Sequence, residues 1–404
     1  MALLRISECL AEFLQNPLEA TISNPLLFEI FNVKLPIDFL SKTIIMNSSK
    51  RFDDAYKFAI LRYFSLSTML DVAKRAKVSL STVSYALNGT RPISEETRQR
   101  IAEAMQELDY RPHALARGLA SKRSRILALV FPTFERGLGI TELDFFTSAA
   151  DAARQNDYHL VLWSVDTHDS KELVELAQLG LVDGVILMEV YLKDERVTLL
   201  HRLDFPFSMM GRSGNEENTN YADIDFEQTI RDAVRHLVDL GHTHVGFINQ
   251  SQEFFENGYG PVARTQNAFI SVCQDLGLQG FSRFCDRTPQ AGYETCQKFI
   301  DSSPDMTALI VMNDRAIPGV MRAITDQGWQ IPSDFSLVSI VSSERMAEMM
   351  IPPVTTMDPP SADMARLAVE LLIEQLEGRQ REVSQVLLPC KLVVRGSSGP
   401  VRKK

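Results

Sequence analysis

The chain has 404 residues, 45% of them hydrophobic and 23% charged, with a net charge of −10. That length allows two or three globular domains and the composition is ordinary for them, while no apolar run reaches the ~18 residues of a membrane span. An acidic chain is a poor polyanion binder as a whole, but the charge is uneven. Residues 68–125 hold 11 Lys/Arg against 6 Asp/Glu, a net of +5, which leaves −15 on the rest. A basic head on an acidic body suits phosphate contact by one end.

The first 67 residues carry apolar and aromatic patches (Phe28, Phe31, Phe39, Phe58, Tyr63, Phe64) without a clean period. They read either as an additional module or as the product of an upstream start, with Met69 the working initiator. The opening MALLRISECLAEF has acids inside its apolar run and makes a poor signal peptide. The five cysteines, Cys9, Cys273, Cys285, Cys296 and Cys390, form no C-x-x-C pair, as expected of incidental thiols in a reducing cytoplasm.

Residues 69–91 predict two short helices joined by a tight turn. Asp71 opens a helical pattern with Val72, Ala73 and Ala76 on its apolar side, and Lys77-Val78-Ser79 breaks it. Ser79 suits the N-cap of a second helix, whose buried stripe is Val83, Ala86 and Leu87. Its opposite face carries Leu80, Ser81, Ser84 and Tyr85, and Asn88-Gly89 stops it. A third amphipathic helix runs over Glu95–Leu108, capped by Ser94, with Ile101, Met105 and Leu108 inward. This is a helix-turn-helix layout, whose second helix enters the major groove of DNA by its N-terminal end.

From Arg125 the pattern becomes short apolar strands alternating with amphipathic helices. The strands are expected at Ile126–Phe131, His159–Val165, Gly184–Met188, Phe205–Met210, Val245–Asn249, near 282–285, Ala308–Met312, Ser336–Val341 and Gln385–Val394. Helices fall between them, and another near 361–376. Two sets of such units predict an α/β core of two doubly wound parallel-sheet lobes. The lobes are expected at roughly 125–224 with 357–383 and 225–353 with 384–397, followed by a tail at 398–404. Ligands of such folds bind outside the carboxyl ends of the strands, here in a cleft between lobes. Strand ends and the helix starts behind them supply the candidates Pro132, Asp144, Trp163, Phe255, Arg264, Asn313, Asp314 and Ser342. Arg, Asp and Asn beside an aromatic face suit a hydroxyl-rich ligand, a sugar or sugar phosphate.

The run V-A-x-x-A-x-V-S-x-x-T-V-S-x-x-L-N-G, continued by Y-R-P-x-x-x-A-R-x-L through residue 120, resembles the lactose/galactose-repressor family of bacterial transcription factors. The resemblance implies a helix-turn-helix DNA-binding domain over 68–112, a hinge over 113–124 and a periplasmic-binding-protein-like effector core over 125–397. It implies DNA contact by Ser79, Leu80, Ser81, Thr82, Ser84, Tyr85, Asn88 and Arg91, and by Ala116 and Leu119 of the hinge, Leu119 as a minor-groove wedge. Arg264 and the Asn313-Asp314 pair stand where the family builds its effector pocket. The sequence departs from the family at Tyr85, often Arg, and at Ser342, often Asp. The implied partners are double-stranded operator DNA, a small-molecule effector and a second copy of the chain, with no membrane role.

Competing chemistries lack their constellations. Gly137-Leu138-Gly139 lacks the third glycine of a dinucleotide fingerprint, and His242-Thr243-His244 has no carboxylate or Cys nearby in sequence. No G-x-S-x-G or H-E-x-x-H appears. The expectation is a cytoplasmic ligand-responsive repressor without metal, cofactor or enzymatic activity. The alternatives are a regulator that takes a purine-type corepressor and a sugar-binding protein without DNA function.

Overall fold

The computed structural model describes residues 67–88, 91–110, 123–132, 137–165, 170–215, 218–379 and 382–402. The hinge positions Ala116 and Leu119, and residues 1–66, lie outside them. The chain divides into two units, Met1–Arg111 and Pro112–Lys404.

In the first unit, helices α1 (Met69–Ala76), α2 (Leu80–Asn88) and α3 (Glu95–Glu107) enclose a small core of Val72, Ala73, Ala76, Val83, Ile101, Ala104 and Tyr110. Helix α1 starts earlier than Asp71 because Thr68 caps it. The Thr68 hydroxyl accepts from Asp71 N–H at 3.3 Å, while the Asp71 carboxylate accepts from Thr68 N–H at 2.9 Å. This reciprocal box satisfies two donors that the helix start would otherwise orphan. Ser67 donates to the Leu108 carbonyl at 2.8 Å. A chain begun at Met69 would lack both contacts. Ser79 accepts from Thr82 N–H at 3.1 Å and Ser94 from Thr97 N–H at 3.3 Å, which places both caps as the sequence predicts.

Among the described residues the second unit holds two six-stranded sheets. The first contains β1 (Ile126–Phe131), β2 (His159–Ser164), β3 (Gly184–Leu187), β4 (Phe207–Met210), β5 (Tyr221–Ile224) and β11 (Gln385–Leu388), in the order β11-β5-β4-β3-β1-β2. The second contains β6 (His244–Asn249), β7 (Gln279–Phe284), β8 (Ala308–Val311), β9 (Ser336–Ile340), β10 (Thr355–Asp358) and β12 (Lys391–Val393), in the order β12-β10-β9-β8-β6-β7. Every pairing is parallel except β10 with β12. Central strands such as β1 and β8 are buried on both faces, which explains their unbroken apolar runs. Helices α4 (Ile140–Gln155) and α13 (Ser361–Leu376) pack together over the first sheet, with α5 (Ser170–Gln178) and α6 (Glu195–Arg202) also in that lobe. In the second lobe come α7 (Phe226–Asp239), α8 (Gln252–Glu256), α9 (Gly260–Leu276), α10 (Pro289–Ser302), α11 (Ile317–Asp326) and α12 (Glu344–Glu348).

The expected single strand Gln385–Val394 is two strands in different lobes. β11 pairs with β5, so 385–388 belongs to the first lobe and not the second, while β10 keeps 357–358 in the second. Pro389, which has no N–H to donate, follows β11 at the crossing. The chain thus passes between lobes after β5, after β10 and after β11. The expected tail is also part of the fold. Ser397 donates to the Leu337 carbonyl at 2.6 Å and accepts from Thr355 N–H at 2.7 Å, both buried. The Gly399 carbonyl accepts from His242 Nε2 at 3.0 Å, which leaves Nδ1 to accept from the Thr307 hydroxyl at 2.8 Å. Val401 N–H donates to the Leu240 carbonyl at 2.9 Å.

Ending the chain at Arg395 removes these partners and leaves buried polar groups unsatisfied. Each costs about 1–3 kcal/mol, so the second lobe should lose several kcal/mol. Trp329, stacked on Phe335 at 5.7 Å, reports that lobe in a Trp163→Phe background. Chemical denaturation followed by its fluorescence should show a lowered midpoint; an unchanged midpoint would refute the tail's structural role.

Burial holds His242 below the usual imidazole range. A depressed histidine stabilises the fold above its unfolded pKa, near 6.5, and that stability is lost as pH falls through the lower folded value. Thermal unfolding should therefore show stability declining from about pH 6.5 downward, and the slope should flatten in His242→Asn.

Candidate functional sites

Helix α2 presents a polar face built from its own cap. The Ser79 hydroxyl lies 2.7 Å from both Ser81 Oγ and Thr82 Oγ1. Leu80, 47% exposed, stands beside them as an apolar projection, and Ser84 and Tyr85 continue the face half-buried. Arg91 lies over the Tyr85 ring at 5.1 Å from its centroid, an attraction that fixes the ring's attitude. Asn88 closes α2, and its side chain lies outside the described residues. Small hydroxyls at the N-terminal end, one apolar side chain and a tyrosine are groups that fit phosphate oxygens and base edges.

The second site is a cleft in the core unit, with an empty volume of about 860 Å³ including the part open to solvent. Its walls come from strand ends and the loops after them, as the fold class dictates. The first lobe supplies Thr141, Glu142, Glu189, Arg212 and Asp223; the second supplies Gln250, Tyr259, Arg264, Arg287 and Asp314. Two contacts carry charge across it. Arg287 donates to Glu142 Oε1 at 3.0 Å, both side chains mostly buried. Arg264 donates to the Ser213 carbonyl at 3.1 Å and lies 3.9 Å from Asp223 Oδ2, which also accepts from Arg212 Nε at 3.1 Å. Backbone contacts flank these pairs. Leu192 N–H donates to Gly258 O at 2.8 Å, and Gly260 N–H to Val190 O at 3.1 Å. A Cβ on Gly260 would fall 2.8 Å from the Val190 carbonyl, so this approach requires glycine.

Burial raises Asp223 to about 6, against the pull of Arg264 and Arg212. Burial also lifts Glu142, reinforced by the charge of Asp314 and opposed by Arg287. Glu142 Oε2 is buried with no hydrogen-bond partner.

Of the predicted effector residues, the structure brings Arg264 and Asp314 to the cleft wall. Pro132 is buried after β1. Asp144 sits on α4, 3.6 Å from Arg345. Trp163 packs half-buried on the apolar cluster of the first lobe, and Phe255 against Phe284 with centroids 5.0 Å apart. Asn313 is buried, its amide donating to the Cys285 and Asp286 carbonyls at 2.9 and 3.1 Å, with Oδ1 unpartnered. Ser342 is buried, its hydroxyl 2.5 Å from that of Ser339. Sequence reasoning missed Glu142, Arg212, Asp223, Gln250, Tyr259 and Arg287. Arg212, Gln250 and Arg287 lie one to three positions beyond strands that it did place, so a polar residue just past a strand end was their signal; Glu142 within α4, Asp223 within β5 and Tyr259 before α9 carried no such signal. Among the described residues no group of His, Cys, Asp and Glu is arranged to hold a metal, and no helix is long and apolar enough to cross a membrane.

The family model for bacterial regulatory proteins of the lacI family matches residues 68–113, and that for a periplasmic binding protein-like domain matches 234–398. Catabolite control protein A of Priestia megaterium is 28% identical, over 82% of this chain and 99% of that protein, and its counterpart in Staphylococcus xylosus is 27% identical over the same shares. A solved complex of the transcriptional regulator CelR with cellobiose is similar at a TM-score of 0.61 and 25% identity, covering 82% of this chain and 99% of that one. The lac repressor dimer bound to operator and the anti-inducer ONPF shares the fold at a TM-score of 0.71 and 24% identity, with the same coverage. These relatives are regulators and not enzymes. With the two family models matched in that order, the chain combines a lacI-family helix-turn-helix domain with a periplasmic-binding-protein-like domain.

Proposed function

We propose that the protein is a cytoplasmic homodimeric repressor of carbohydrate-utilisation genes, whose grip on operator DNA is set by a sugar-class molecule in the interlobe cleft. The observation that carries this reading is the pair of ionic contacts across the cleft, Arg287 to Glu142 and Arg264 to Asp223 and Ser213. A ligand seated among them replaces or reinforces contacts that differ between open and closed lobes. Only such unequal affinity lets a ligand shift the equilibrium. The cellobiose carried by CelR and the operator carried by the dimeric lac repressor support the ligand class, the target and the assembly. Two heads on a two-fold operator call for a dimer. The family resemblance supports a hinge over residues 113–124, whose Ala116 and Leu119 would meet the minor groove.

The regulator should respond to its ligand through Arg264. Arg264→Ala is expected to abolish ligand-induced release while operator affinity without ligand stays within about threefold of the parent. Gel shift on an operator selected from random DNA, with and without cellobiose, measures both. An unchanged response midpoint would remove Arg264 from the cleft mechanism. Ionised Asp223 holds both arginines, so the response should weaken as pH falls below about 6, and Asp223→Asn should lose that dependence.

On DNA, Tyr85 offers one hydroxyl and a ring edge in place of a guanidinium. Tyr85→Ala should alter operator preference more than affinity for random sequence, where phosphate contacts dominate. Equal losses on both would show that the ring is only packed under Arg91.

A further inference from the structure

The cleft's charges restrict what can enter it. Its wall carries four carboxylates, Glu142, Glu189, Asp223 and Asp314, and three guanidiniums, Arg212, Arg264 and Arg287. The guanidiniums are already engaged by acids or carbonyls of the wall. Arg212 and Arg264 attend Asp223, Arg264 also reaches Ser213 O, and Arg287 is on Glu142 Oε1. An acceptor on the wall is left over: Glu142 Oε2 is buried and lacks a hydrogen-bond donor. A buried acceptor without a donor is costly, and a ligand hydroxyl removes that cost. A phosphate ester brings about two negative charges into the same space. It would have to share a guanidinium that already serves a buried carboxylate of the wall, so its added charge would be compensated only in part.

Building on the effector reading above, we infer that the cleft selects an uncharged, hydroxyl-rich ligand, an unphosphorylated sugar, that donates a hydrogen bond to Glu142 Oε2, and that it rejects the phosphorylated form of the same sugar. Tyr259 and Phe145 on the wall provide apolar faces for the ring. Glu142 is then a specificity-determining residue. It accepts from the ligand and, with Asp314, repels a second anion.

The test uses the full chain in calorimetric titration and thermal shift with cellobiose, with glucose and ribose, and with glucose 6-phosphate, ribose 5-phosphate and inorganic phosphate. At least one neutral sugar is expected to bind, and the phosphates are expected to bind at least about tenfold more weakly than that sugar. Glu142→Gln should lower affinity for the neutral sugar by about tenfold and narrow its margin over the phosphates. Glu142→Asp, which keeps the charge and a shortened acceptor, should retain the margin. A phosphorylated sugar that binds as tightly as its parent, and loses binding in Arg212→Ala, would overturn the charge selection while leaving a ligand-responsive cleft. Binding of a neutral sugar unaffected by Glu142→Gln would overturn the role of Glu142. Failure of every neutral sugar to bind would overturn both the selection and the reading on which it rests.

Discussion

A buried carboxylate shared between two lobes is the constraint around which the core is arranged. Asp223 lies in β5, the last strand of the first lobe before the chain crosses over, and is 3% exposed. Stripping water from it is costly enough to lift its pKa to about 6 in spite of two guanidiniums. One of these, Arg212, belongs to its own lobe; the other, Arg264, comes from α9 of the second. Removing either cation would leave charge buried with less compensation, and such losses are large compared with exposed ion pairs. The lobes are therefore coupled through a site that ligand can reach. A pairing of similar strength on the outer surface would be screened and would couple nothing to occupancy.

A ligand response of the proposed kind also requires that the lobes move as bodies. Three crossings join them, and each is short: β5 runs into α7, β10 into α13, and β11 into β12 through Pro389-Cys390. Cys390 is 4% exposed and its N–H donates to the Thr229 hydroxyl at 3.0 Å, so this crossing is itself packed. Close-packed sheets on either side resist continuous deformation. Motion of one lobe against the other, as the proposed function requires, would then be rotation about the crossings.

The architecture was legible in the sequence where hydrophobic period decides it. The alternation of buried runs with amphipathic helices over 126–341 located most elements within a few residues, because long strands buried on both faces mark the chain, whereas the short β5, interrupted by Asp223, was not among the expected strands. The caps Ser79 and Ser94 were legible for the same reason, each being a local rule. Non-local pairing was not. Nothing in Gln385–Val394 says that its halves join different sheets, since both halves alternate alike and the partners Tyr221–Ile224 and Thr356–Asp358 are far away in sequence. The site was half legible. Strand ends point at the cleft, and Arg264 and Asp314 follow from them, but whether a side chain points inward is set by neighbours across the cleft. Asn313 and Asp314 are adjacent, yet Asn313 spends its amide on the Cys285–Asp286 loop and Asp314 faces the cavity. Trp163 and Phe255 look like ligand platforms by composition and are instead packed on other apolar side chains.

The way the linker enters the core suggests how an event at the carboxyl ends of the strands is carried to it. Asp183 precedes β3, at the amino end of the first sheet, and its carboxylate accepts from Ser124 N–H at 2.6 Å, Ser124 Oγ at 2.9 Å and Arg125 N–H at 2.9 Å. Arg125 stacks over Tyr158 with 4.8 Å to the ring centroid and pairs with Glu377 at the end of α13. Arg123 reaches the Leu376 carbonyl at 2.5 Å. Residues 123–125 are thus bolted to the first lobe at the end opposite the cleft. No flexible segment among the described residues joins the two ends; the sheet itself does. A rotation of the first lobe that makes or breaks the Asp223–Arg264 and Glu142–Arg287 contacts must displace residues 123–125 with it.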